Sequence, residues 1–182
     1  MELNPLTALS PIDGRYARQT DALRDIFSEC AFMNARVRVE VEWLISLSEA
    51  GFAELPHLSD HGKAFLRGLA DNFSLADCEA IKEIEKTTNH DVKAVEYWIK
   101  NQVAHDEELK SASEFVHFSC TSEDINNTSH AIMLKRGREA LADYLQQIHD
   151  TIAGFAHQWA EIPMLSRTHG QTASPTTVGK EF

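Results

Sequence analysis

Residues 166–171, Ser166-Arg167-Thr168-His169-Gly170-Gln171, set a histidine, an arginine and three side-chain hydrogen-bonding groups around one glycine, directly after a long helical pattern. Histidine is the side chain whose ordinary charge change lies near neutrality, so such a turn suits proton transfer beside an anion. Three more clusters share this character. Asp13-Gly14-Arg15-Tyr16 is a turn that presents a guanidinium next to an aromatic ring, a pairing that can bind a phosphate and stack on a base. Thr87-Thr88-Asn89-His90-Asp91 stands at a helix N-terminus, where backbone N–H groups favour an anion. In residues 117–127, Thr121 and Ser122 precede a long helix whose first turn carries Glu123 and Asp124.

Each cluster also has a plainer explanation. The first turn can be ordinary surface, the second an Asn/Asp cap with an incidental histidine, and the third an N-cap with acids complementing the helix dipole. His169 can be a surface residue in a polar turn. The chain has no nucleophile elbow, no phosphate loop, no HExxH segment and no Cys-x-x-Cys pair. Together, four clusters of His, Arg and hydroxyls fit acid–base chemistry on an anionic substrate better than covalent or cofactor chemistry. No metal is expected.

The elements that must position these clusters read as helices. Asp21 to about Ala50 offers both an alternating pattern (Val37, Val39, Val41, Trp43) and a helical face (Met33, Val37, Val41, Leu44). Arg36–Glu40 and Arg38–Glu42 as i,i+4 pairs, with Gly51 as a stop, favour the helix. Ser74-Leu75-Ala76-Asp77 resembles a capping box opening a helix to about Lys86, with Cys78, Ile81 and Ile84 on its apolar side. Val92, Val95, Ile99 and Val103 mark the next helix. From about Ser122 to Ala160, a seam of Leu141, Leu145, Ile148, Ile152, Phe155 and Trp159 repeats every three or four residues. At 1.5 Å per residue such a helix spans roughly 55 Å, more than a compact domain of this size covers, so part of the seam needs a partner. Ser174-Pro175 reads as the start of another helix, with room for about two turns.

Apolar residues are 43% and charged residues 25% of 182, and 17 basic against 28 acidic side chains give a formal charge of −11. That balance argues against nucleic acid as a partner. No apolar run approaches membrane-spanning length, and the N-terminus has no signal-peptide pattern. Cys30, Cys78 and Cys120 read as reduced thiols of a cytoplasmic protein. The expected architecture is all-α: a small helical N-terminal domain over residues 1–111, then the start of a long-helix bundle over 112–182.

Residues 166–181, Ser-Arg-Thr-His-Gly-Gln-Thr-Ala-Ser-Pro-Thr-Thr-Val-Gly-Lys-Glu, resemble the fumarase/aspartase superfamily of lyases. Glycine after the histidine points to its adenylosuccinate lyase family. Residues 10–16, 86–97 and 118–126 match the same family in the same order, so the resemblance runs along the whole chain. It implies β-elimination of fumarate from adenylosuccinate, giving AMP, and from the succinylated aminoimidazole carboxamide ribotide of purine synthesis. By the same resemblance His169 is the general acid. Arg15 and Tyr16 hold the nucleotide, and Asn89, His90 and Asp91 contact substrate together with the hydroxyls of Thr121 and Ser122. No metal or organic cofactor is implied, and the assembly is a homotetramer. The family's flexible Gly-Ser-Ser-x-Met-Pro-x-Lys-x-Asn loop, which carries the serine base, does not occur in the 182 residues. The resemblance therefore implies an N-terminal fragment without activity of its own. Another superfamily lyase, such as one for argininosuccinate, and a non-catalytic helical interaction module remain the alternatives.

Overall fold

The computed structural model describes residues 4–52 and 54–182, and its regular elements are helices apart from one hairpin, in keeping with the all-α expectation. Contacts divide the chain into two compact units, Met1–Gly137 and Arg138–Phe182. The division expected near residue 111 from the helical pattern concerns a different boundary.

In the first unit, α1 (Arg24–Phe27) leads into α2 (Glu29–Glu49), and Ser28 separates them with an extended backbone. The Ser28 hydroxyl accepts from the Ala31 N–H at 3.1 Å, a cap of about 1 kcal/mol that turns the expected single helix into two. The helical reading of 37–44 holds: Val37, Val41 and Leu44 are each 1% exposed or less. Gly51 follows the helix with φ 82°, a backbone setting that glycine adopts without strain.

Around α2 pack α3 (Asp60–Asp71), α4 (Leu75–Thr88) and α5 (Asp91–Val103). The short α6 (Glu107–Ala112) follows. Ser74 and Asp77 form the expected capping box, with the Ser74 N–H donating to the Asp77 carboxylate at 2.8 Å. Val92, Val95, Ile99 and Val103 are all buried. One expectation fails here. Neither i,i+4 pair on α2 forms, because all four charges reach off the helix: Arg36 to Asp91, Arg38 to Asp71, Glu40 to His117 and Glu42 to Arg67. The cysteine reading fails as well. Cys30 and Cys78 are joined in a disulfide between α2 and α4, with Cα atoms 5.7 Å apart, and Cys120 is the free thiol. The packing of the two helices brings together residues 48 apart in sequence.

The long helix is α7 (Ser122–Gln158), as expected. Its C-terminal part opens the second unit, where the seam residues Leu141, Leu145, Ile148 and Ile152 stand exposed. After it the chain forms β1 (Pro163–Thr168) and β2 (Gln171–Thr177), an antiparallel pair. This replaces the helix expected from Ser174-Pro175, which lies inside β2. Two turns of helix have too few hydrogen bonds to offset nucleation, whereas Thr172, Thr176 and Thr177 suit an extended pairing. Phe155 stacks on Trp159 at 4.7 Å, and Phe182 lies tilted against both rings at 5.4 and 5.2 Å. Gly179 sits so close to the end of α7 that a Cβ would lie 2.1 Å from the Ala156 carbonyl oxygen.

Candidate active site

Three helix termini of the first unit converge through α2. Asn89 ends α4 in the left-handed conformation (φ 49°), which turns the chain so that His90 caps α5. His90 Nδ1 accepts from the Lys93 N–H at 3.2 Å, leaving Nε2 facing the start of α7, 3.4 Å from the Ser122 hydroxyl. Asp91 opens α5. Its carboxylate accepts from the Val92 N–H at 2.9 Å and from Arg36 Nη2 at 2.5 Å. Partial burial pushes the Asp91 carboxyl up, but the Val92 N–H and the Arg36 guanidinium outweigh it and hold the group below the ordinary aspartate value.

Arg36 fastens the other side too. Its Nε donates to Asn126 Oδ1 near the start of α7 at 2.9 Å, and its guanidinium lies 3.9 Å over the Phe32 ring. Phe32 stacks in turn on His130 of α7, with centroids 4.5 Å apart. At the start of α7, the Thr121 N–H and hydroxyl both donate to Asp124 Oδ2, at 2.7 and 2.8 Å. This is a threonine–aspartate cap in which the Thr121 hydroxyl proton is already engaged, while Ser122 is in reach of His90. Those donor bonds, first from the backbone and then from the side chain, hold the Asp124 carboxyl low.

The structure thus brings Asn89, His90 and Asp91 together with Thr121 and Ser122. It does not join Arg15 and Tyr16 to them. Their side chains lie against each other, guanidinium over ring at 5.4 Å, on an exposed turn. His169 lies in the second unit, at the tip of the hairpin. Thr168 pairs with Gln171, so His169 and Gly170 form a two-residue turn with φ 53° and 71°. Positive φ at both central positions is the primed turn that matches strand twist. It leaves the His169 side chain exposed.

Residues missed at the sequence level are on α2: Arg36, Glu40 and Trp43. Arg36 and Glu40 are 4% and 1% exposed, among the few charged side chains buried in the chain. The signal was their position: spaced by four, they flank the Met33, Val37, Val41, Leu44 stripe rather than oppose it. His57 and His61 also stand four apart, a metal-pair spacing only on a helix, and His57 precedes the Ser59 cap of α3. Among the described residues, no cluster of three or more His, Cys, Asp or Glu could hold a metal ion. None of the described helices is long and apolar enough to cross a membrane.

The lyase family matches residues 14–182. Adenylosuccinate lyases from Vibrio cholerae and Haemophilus influenzae are 54% and 55% identical over the whole chain, and that of Dictyostelium discoideum is 46% identical. The chain spans 40% of the length of these curated relatives. A fumarate lyase from Mesorhizobium sp. BNC1 superposes with a TM-score of 0.70 at 20% identity, over 88% of this chain and 35% of that one. A 3-carboxy-cis,cis-muconate lactonizing enzyme from Pseudomonas putida gives 0.68 at 21% identity, over the same 88% and 35%. At such identities the two structures speak for the fold alone.

Proposed function

The chain belongs to the lyase family, and on that footing we propose that the complete gene product eliminates fumarate from adenylosuccinate to give AMP, and from the succinylated aminoimidazole carboxamide ribotide. The reaction removes a weakly acidic proton beside a carboxylate and then breaks a C–N bond. The developing negative charge needs fixed donors, and the departing nitrogen needs a proton. His169 supplies that proton from its exposed turn. Asn89, His90, Asp91, Thr121 and Ser122 hold the succinyl and phosphate oxygens, and Arg15 with Tyr16 holds the nucleotide. The base comes from a Gly-Ser-Ser-x-Met-Pro loop, which residues 1–182 do not contain.

The observation that carries this reading is the meeting of the 89–91 turn with the start of α7, where His90 Nε2 lies 3.4 Å from Ser122 Oγ. Two helix N-termini converge there, and each favours an anion. The relatives' names support the choice of substrate. No metal or organic cofactor takes part. The protein acts as a cytoplasmic homotetramer, with residues 1–111 as one domain and 112–182 opening the helical bundle. The exposed seam of α7 is then the surface that other bundle helices cover.

The test is fumarate release from adenylosuccinate and, in parallel, from argininosuccinate by the complete gene product. Release from argininosuccinate alone transfers the reading to another superfamily lyase. Full activity in His169→Ala removes the general acid and favours a non-catalytic role for these clusters.

A further inference from the structure

Arg36, Glu40 and Trp43 succeed one another on α2 at spacings of four and three, and each grips a different segment near the site. Arg36 holds Asp91 and Asn126, Glu40 holds the His117 ring, and Trp43 Nε1 donates to the Phe118 carbonyl at 2.8 Å. Glu40 has no part in the reaction described above, yet its side chain is more deeply buried than that of Arg36. Its side chain is 0% exposed, Oε1 lies 2.6 Å from His117 Nδ1, and Oε2 has no partner. A carboxylate in that setting is costly unless its one partner carries the opposite charge.

His117 and Ser119 are both left-handed, with φ 64° and 62°, in the run that leads to Thr121. Non-glycine residues hold that conformation only when their surroundings enforce it. Two clamps from α2 do so: one on the His117 ring, one on the next carbonyl.

We propose that Glu40 is a positioning residue: paired with a protonated His117, it fixes the 117–120 run in the left-handed path that delivers Thr121 and Ser122 to substrate. The assignment rests on the substrate role given to Thr121 and Ser122 above. The Glu40 hydrogen bond pushes the His117 imidazole up from its ordinary value, against partial burial. The other charges facing it are Glu96, which reinforces Glu40, and Lys93, which opposes it, both on α5. On α7, Asp124 feels the His117 charge. The Cys120 thiol is pushed up by burial first and by Glu40 and Asp124 after it.

The test uses Glu40→Gln, which keeps shape and an acceptor for Nδ1–H but removes the charge. In the 182-residue chain, histidine NMR titration is expected to place His117 at lower pH in E40Q than in the parent. In the complete gene product, KM for adenylosuccinate is expected to rise about tenfold, as for a charged hydrogen bond replaced by a neutral one, with kcat changed less. The parent's KM is expected to climb as rising pH takes the proton from His117, and in E40Q that climb begins at lower pH. His117→Asn, which tolerates the left-handed backbone, serves if E40Q does not fold; its KM is expected to be flat across the pH range where the parent's changes. An unshifted His117 titration in E40Q, or a parent-like pH profile in H117N, overturns the proposal. A parent enzyme that releases no fumarate overturns the functional reading instead, and the titration still decides the Glu40–His117 pairing.

Discussion

Arg36 Nη2, buried in the middle of the first unit, donates to Asp91 Oδ2 at the first residue of α5 over 2.5 Å, while its Nε reaches Asn126 on α7. One guanidinium thus sets two helix starts from a third helix, using the planar fork that arginine has and lysine lacks. The distance between the Asn89–Asp91 turn and the Thr121–Ser122 helix start depends on this side chain.

Replacing Arg36 with Met should therefore destabilise the chain by about 2–3 kcal/mol, since it strands Asp91 and the Asn126 amide beside an apolar side chain. Asp91 is half exposed and recovers part of its hydration, which keeps the figure below that of a fully buried pair. Arg36→Lys should restore little of it, because an ammonium cannot span both partners. Urea unfolding followed by circular dichroism measures both, and a Lys variant as stable as the parent contradicts the fork.

Stability should fall toward both acid and alkaline pH for different reasons. The folded-state pKa of Asp91 lies below the ordinary 3.8, so its contribution is present above that value and disappears as pH falls through the folded one. His117 is the reverse case. Its folded-state value lies above 6.5, so its contribution is complete below 6.5 and is lost as pH rises through the folded one. Unfolding midpoints against pH should show the alkaline loss weakened in E40Q and the acid loss weakened in Arg36→Met. An alkaline decline equally steep in E40Q would falsify the His117 assignment.

Backbone and chemistry can be separated at the hairpin tip. Asn suits the first central position of a primed turn, so His169→Asn should keep the hairpin while removing the proposed proton donor. Activity of the complete gene product should drop by a factor of about 10² to 10⁴, the usual worth of a general acid. Gly170→Val should do the opposite kind of damage, straining a φ of 71° and disordering the turn. Hairpin amide shifts that collapse in H169N would undo the separation.

The seam on α7 should make residues 1–182 self-associate. Leu145 and Ile148 are 65% and 55% exposed, so lysine at both positions costs the folded unit little and should shift sedimentation toward monomer. A parent chain that is monomeric at high concentration rules out the seam as a self-association surface. On the proposed function the same polypeptide should not release fumarate, since its 182 residues contain no Gly-Ser-Ser-x-Met-Pro segment.

Non-reducing thiol titration of the unfolded chain should find one reactive cysteine, and three after reduction. Reduction of Cys30–Cys78 should also lower stability by about 2–4 kcal/mol, the range for closing a loop of this length. Three reactive thiols without reductant would show the bond absent.

The long helix, the capping box at Ser74 and the stripe of α5 were legible because they are local: each depends on periodicity or on contacts three residues apart. The turn at 89–91 and the helix start at 121–122 were legible as separate polar clusters for the same reason. α3, the break at Ser28 and the hairpin were not. Ser174-Pro175 is as good a helix opening as a strand segment until Thr168 pairs with Gln171, and that pairing depends on positive φ at His169 and Gly170.

Sequence by itself determined which residues can carry protons and anions, that most of the chain is helical, and where the helices that present them begin. Tertiary structure decided which of those residues meet. Arg36 and Glu40 fit a surface ion pair on their own helix, and only the packing of α5, α7 and the 117–120 run against α2 turns them inward to Asp91, Asn126 and His117. The reason is that a charge's partner depends on what excludes water around it, and burial belongs to the assembled helices rather than to any one segment.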